Sequence, residues 1–123
     1  MKMRKYICAV VALGALLLGG CSSQRTPDVV VAKCWTELAA GNVKEALTMV
    51  NIGAGEEAIY AEMFAERAAK LREVGGVERV DIYSYDAGKT EAKVTATVVL
   101  ANGRTIPATY TLTKVKRAWK IEN

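Results

Sequence analysis

Between residues 91 and 113 the chain keeps apolar and polar side chains on opposite parities, and that alternation constrains its fold more than any other feature. In a first run, Ala92, Val94, Ala96, Val98 and Leu100 share one parity while Glu91, Lys93, Thr95 and Thr97 take the other. In a second, Ile106, Ala108, Tyr110 and Leu112 alternate with Thr105, Thr109, Thr111 and Thr113. Successive side chains of a strand point to opposite faces, so each run has one apolar face and one threonine-rich face. Val80 and Ile82 against Asp81 and Tyr83 begin the pattern upstream, and Trp119 and Ile121 mark a last short strand. About four such strands describe an antiparallel sheet covered on one side only.

The same faces fix the turn between the two long runs. Asn102-Gly103 invites a two-residue hairpin, which would set Val98 opposite Pro107 and join an apolar face to a polar one. A slip of one residue exchanges the faces, and the core cannot form. A three-residue loop, Ala101 to Gly103, instead pairs Val98 with Ile106 and Val94 with Tyr110. The expectation is a three-residue turn with Gly103 at positive φ, or a compensating bulge.

Upstream of the strands the period is helical. Thr26-Pro27-Asp28 supplies an N-cap, a proline for the first helical position and an acid for the first turn. At 100° per residue, Val31, Cys34, Trp35, Leu38 and Ala39 fall on one face and Lys33 and Glu37 point away, with Gly41 as the closing left-handed residue. Asn42-Val43-Lys44-Glu45 reads as a capping box for a short second helix with Ala46, Leu47 and Val50 inward. Gly53-Ala54-Gly55 is a linker. A long third helix follows from Glu56 and Glu57 to Gly75-Gly76, with Tyr60, Met63, Phe64, Ala68 and Leu71 on its apolar face. Glu66 and Lys70 are spaced for an i,i+4 ion pair.

The first twenty residues are a different material. Lys2, Arg4 and Lys5 precede an apolar run from Tyr6 to Leu18, then Gly19, Gly20 and Cys21, the tripartite form of a secretory signal. The run is shorter than the roughly 20 residues a membrane-spanning helix needs. Leu18-Gly19-Gly20-Cys21 is similar to the bacterial lipobox, in which the cysteine is acylated and becomes the new N-terminus. The expected organisation is a lipoprotein signal peptide over 1–20, a lipidated tether over 21–25 and one α+β domain over 26–123. Ser22 in place of aspartate points to the outer membrane, periplasmic side, in a cell with two membranes. In a cell with one, the lipid anchor implies the outer face of the cytoplasmic membrane.

Composition then narrows the function classes. The leader holds three of the 17 basic residues and none of the 13 acids, which leaves the rest of the chain at net +1. A nucleic-acid partner loses its support with that charge. The 51% apolar content excludes a disordered chain, and three cysteines cannot build a disulfide framework. The sequence has no histidine, so a Ser-His-Asp triad and a His-ligated metal are excluded.

The order of elements, with Thr26-Pro27-Asp28-Val29-Val30, Ala40-Gly41-Asn42-Val43-Lys44-Glu45-Ala46-Leu47 and the closing Trp119-Lys120-Ile121, resembles the nuclear transport factor 2-like (NTF2-like) fold. More narrowly, it is similar to small bacterial lipoproteins grouped under domain of unknown function 4878. The resemblance implies N-terminal helices packed on a curved antiparallel sheet, a cystatin-like cone, in a cell-envelope protein. Such relatives usually carry a glycine-containing turn before the final tryptophan, where this chain has Lys116-Arg117.

In this fold a sheet curling over helices leaves a pocket, and enzymes of the fold place acids or histidines inside it. The inward strand positions here offer only Ser84 and Tyr110 as polar groups, and no carboxylate. Arg67 lies about 20° from Tyr60 around the third helix, so its stem starts on the apolar face. Its guanidinium either grips an anionic ligand from within the pocket or snorkels to solvent. Tyr60, Arg67, Ser84 and Tyr110 are therefore the candidate pocket, and Tyr83 with Tyr85 a candidate surface recognition stripe. Cys34 reads as an inert core thiol. No catalytic residue, metal or cofactor is assigned. The preferred reading is a non-catalytic, lipid-anchored envelope module that binds an envelope protein, glycan or small ligand. The alternative is a small-pocket isomerase- or dehydratase-like enzyme acting on a hydrophobic substrate. A third reading is a homodimer formed through the open threonine-rich face.

Overall fold

The chain is described from a computed structural model covering residues 25–122. The leader, Cys21 and most of the tether lie outside the described residues. Three helices, α1 (Pro27–Ala39), α2 (Val43–Leu47) and α3 (Glu57–Glu73), precede four strands. The strands are β1 (Val77–Ala87), β2 (Glu91–Leu100), β3 (Thr105–Val115) and β4 (Ala118–Ile121), and they form one antiparallel sheet in the order β1-β2-β3-β4. No helix of the described residues is long and apolar enough to cross a membrane.

The hairpin between β2 and β3 takes the register that the two faces demand. Val98 pairs with Ile106 and Val94 with Tyr110. The Leu100 amide donates to the Arg104 carbonyl at 2.8 Å, leaving Ala101 to Gly103 as a three-residue loop, and Gly103 has φ +91°. With the register set, Ala92, Val94, Ala96, Val98 and Leu112 are all buried beneath the helices. α1 covers them with Val30, Val31, Cys34 and Leu38, which form the other half of the core.

Each long helix ends in a paired carbonyl cap. The Gly41 and Asn42 amides donate back to Leu38 and Glu37 at 3.0 and 2.8 Å, with Gly41 at φ +86°. Gly75 and Gly76 do the same for Arg72 and Leu71 at the end of α3. This satisfies carbonyls that the last turn leaves without partners. The Gly76 carbonyl then accepts from the Ala101 amide at 2.9 Å, tying the end of α3 to the β2–β3 turn.

Three local expectations fail. Thr26 holds the N-cap position of α1, but its side chain makes no capping bond. The capping box at α2 does not form, because the Asn42 side chain donates to Glu37 Oε1 at 2.7 Å instead of capping its own helix. That bond, followed by the one from Lys33, holds the Glu37 carboxyl below its ordinary range. The Glu66–Lys70 pair is also absent among the described residues, whose ion pairs are Lys33–Glu37, Arg79–Glu78 and Arg79–Asp81. Both are exposed, where such a pair gains little and costs side-chain entropy.

β1 departs from simple alternation. Its register against β2 shifts twice, between Val77 and Arg79 and between Ile82 and Ser84, so one extra residue is accommodated at each place. The second shift inverts the parity of everything after it. β4, at the other edge, is closed by the segment after α2: the Asn51 amide donates to the Ile121 carbonyl and the Ile121 amide to Met49, both at 2.8 Å. α3 packs against α1 and α2 rather than down onto the strands, and the space it leaves beside β3 becomes the site.

Candidate functional site

The site is a cleft between α3 and the inner face of β3, divided at its middle by Trp35 from α1. The Trp35 Nε1–H donates to the Tyr110 hydroxyl oxygen at 2.9 Å, which fixes both rings across the cleft. On one side lies a cavity of about 240 Å³, walled by Leu38, Val50, Tyr60, Met63 and Phe64, with Glu122 at its mouth. On the other lies a cavity of about 280 Å³ between the last turns of α3 and the β2–β3 turn. Its walls include Leu71, Val74, Leu100 and Ile106, and Lys70 and Arg104 stand at its edge. Trp35 and Arg67 line both.

Arg67 is exposed, and its Cζ stands 6.0 Å from the Phe64 ring centroid, at the outer limit of a cation–π contact. No described carboxylate lies within ion-pairing distance of it. Glu122 is exposed as well and accepts a hydrogen bond from Asn51 Nδ2 at 3.1 Å. Two walls of the first cavity, Cys34 and Tyr110, resist ionisation. Burial pushes the Cys34 thiol up to about 11, only partly offset by Arg67, and its Sγ donates to the Ala46 carbonyl at 3.6 Å. Burial likewise raises Tyr110, against the opposing hydrogen bond from Trp35.

Of the four pocket residues expected from sequence, the structure brings Tyr60, Arg67 and Tyr110 together on this cleft. Ser84 is a correction. The register shift after Ile82 sets it opposite Thr95 on the threonine-rich face, where it is exposed. The same shift separates the two tyrosines of the expected stripe. Tyr85 pairs with Val94 on the inner face, whereas Tyr83 is the residue the irregularity absorbs. Both are open to solvent, at 45% and 68%, but they do not form one stripe. Cys34 is buried, as read. No cluster of three Cys, Asp or Glu side chains that could hold a metal occurs among the described residues.

Sequence reasoning missed Trp35, Lys70, Arg104 and Ile106 as cleft residues. Trp35 on the apolar face of α1 and Ile106 on the inner parity of β3 carried a signal for core, which is where their backbones lie. Nothing local marked Lys70 and Arg104, since helix and turn cations are common on any surface.

The architecture defines an α+β protein of the NTF2-like fold, with helices over an open four-stranded antiparallel sheet and a cleft between them. A solved structure of a proposed NTF2-like transpeptidase from Campylobacter jejuni superposes on it with a TM-score of 0.67 at 20% identity, covering 80% of this chain and 99% of that one. No protein-family model and no curated protein matches the sequence.

Proposed function

We propose that this chain is a lipid-anchored cell-envelope lipoprotein, of the kind grouped under domain of unknown function 4878, whose NTF2-like domain is a non-catalytic binding module for a small, largely apolar ligand. The observation that carries the binding role is the cleft itself: two adjoining cavities walled mainly by aliphatic and aromatic groups, joined at a hydrogen-bonded tryptophan–tyrosine pair. Sites for small molecules have this make-up, apolar walls with a few fixed polar groups.

A transpeptidase role, suggested by the structural neighbour's description, finds little support in this cleft. Covalent transfer needs a nucleophile activated by a base within hydrogen-bond reach. Cys34 is buried, protonated at neutral pH and bonded to a main-chain carbonyl, and the sequence has no histidine to activate it. An isomerase or dehydratase needs a positioned acid or base. The Tyr110 hydroxyl already accepts the Trp35 bond and burial holds it in its protonated, neutral form, so it is no base, and Glu122 stands in solvent.

The anchor rests on the basic start, the apolar run and Leu18-Gly19-Gly20-Cys21. Two or more acyl chains, at about 0.8 kcal/mol per buried methylene, hold a protein stably where one does not. Metabolic labelling with a palmitate analogue is the test. The wild-type chain is expected to take up label and pellet with membranes, and Cys21→Ala to do neither. Label retained in Cys21→Ala rules the anchor out.

A further inference from the structure

We infer that the cleft takes a single-chain amphiphile with an anionic head, its chain in the cavity walled by Leu38, Val50, Tyr60 and Phe64 and its head at Arg67 between the two cavities. This rests on the binding reading above and adds the ligand's charge, size and orientation.

Charge comes first. The second cavity is edged by three cations, Arg67, Lys70 and Arg104, and no carboxylate lines it. A guanidinium carries five N–H donors in a planar fork that fits the two oxygens of a carboxylate or phosphate. No described acid occupies the Arg67 fork, so its donors are free for such a head. Its field reaches the polar walls of the first cavity, lowering Cys34 and Tyr110 against the larger effect of their burial.

Orientation follows from the asymmetry of the ends. Glu122 stands at the mouth of the first cavity and repels an anion there. The head therefore belongs on the Arg67, Lys70 and Arg104 side, and the chain runs past Trp35 toward Leu38 and Val50. Size follows from volume. At about 30 Å³ for a group the size of a water molecule, a cavity of about 240 Å³ holds on the order of eight chain groups. Octanoate is thus a fitting probe, and 1-octanol is the same chain without the charge.

The full chain held in lipid nanodiscs is titrated with sodium octanoate and with 1-octanol, reading Trp35 fluorescence against empty nanodiscs and against a Trp35→Phe variant. Octanoate is expected to saturate at roughly tenfold lower concentration than octanol, a ratio equal to about 1.4 kcal/mol. Arg67 is exposed, so Arg67→Gln leaves the fold intact. It is expected to weaken octanoate about tenfold and leave octanol unchanged, and Arg67→Lys to recover most of the loss. Raising the salt to 1 M shortens the Debye length to about 3 Å and is expected to weaken octanoate alone.

Equal binding of the two probes, with no effect of Arg67→Gln, overturns the anionic head while the apolar cleft reading stands. Saturation by neither probe overturns both. A fluorescence change that persists in Trp35→Phe places the probes elsewhere and also overturns both.

Discussion

The turn between β3 and β4 gives the sharpest test of how this sequence meets its fold. Val115 pairs with Ala118, leaving Lys116 and Arg117 as a two-residue loop with φ of 50° and 71°. Positive φ at both central residues is the signature of the type I′ hairpin, whose favoured residues are Asn and Gly. For other L-residues the left-handed region costs roughly 1–2 kcal/mol each. Neither side chain recovers that cost through an ion pair or hydrogen bond with a described residue. Replacing the pair by Asn-Gly removes the strain at position 117, where glycine carries no penalty, and part of it at position 116. Against this, glycine raises the entropy of the unfolded chain by roughly 0.5–1 kcal/mol. The double substitution Lys116→Asn, Arg117→Gly is therefore expected to stabilise the domain by about 1 kcal/mol. In a domain of this size that raises Tm by roughly 4–8 °C, measured by thermal unfolding followed by circular dichroism. Reversing the order to Gly-Asn gives less. A Tm that stays put or falls would show that the left-handed pair is not strained, and the argument from φ would fail.

Two further outcomes follow from burial. The folded state holds the Cys34 thiol at about 11, above its ordinary 9.0, so it keeps the proton longer than the unfolded chain does. That contribution to stability is complete below pH 9 and is lost as pH rises toward 11, an expected decline of about 2–3 kcal/mol. Urea unfolding of the wild type and of Cys34→Ala, compared from pH 8 to 11, should show the steeper decline in the wild type; parallel curves would contradict it. Leu112 is fully buried between the sheet and the helices, and Leu112→Ala is expected to cost about 2–5 kcal/mol in the same assay. A loss under 1 kcal/mol would mean the core collapses around the gap.

What the sequence disclosed divides along a physical line. The strand faces, the β2–β3 register and the three-residue loop were legible because period-two burial is written into each strand and a one-residue error is ruinous. The fate of Ser84 was not. Val80, Ile82 and Ser84 keep one parity in the sequence, and only the pairing with β2 shows that a residue is absorbed after Ile82. The Asn42 capping box failed for a similar reason, since the Asn42 side chain is drawn to Glu37 of the preceding helix, to which its Nδ2 donates. Arg67, Tyr60 and Tyr110 could be placed on an inward face, yet their convergence depends on how far α3 stands from β3. That distance is a property of packing, not of any one helix's periodicity.

The standoff of α3 has an energetic meaning. Met63 lies on the apolar face of its helix and Ile106 on the inner face of its strand, yet they are 45% and 36% exposed. Full burial of such side chains is worth about 1.5–3 kcal/mol each, so an open cleft forgoes on the order of 2 kcal/mol that a closed interface would supply. Against a total stability of only about 5–15 kcal/mol, that is a substantial sacrifice. Packing elsewhere explains how it is sustained. Tyr60, Phe64, Ala68 and Leu71 seat α3 on the other helices, and the bond from the Ala101 amide to the Gly76 carbonyl fixes its far end. The helix is thus held along one face and at its far end while the face bearing Met63 stays off the sheet. A ligand whose chain covers Met63 on entering the first cavity would recover part of the burial that the fold leaves unused.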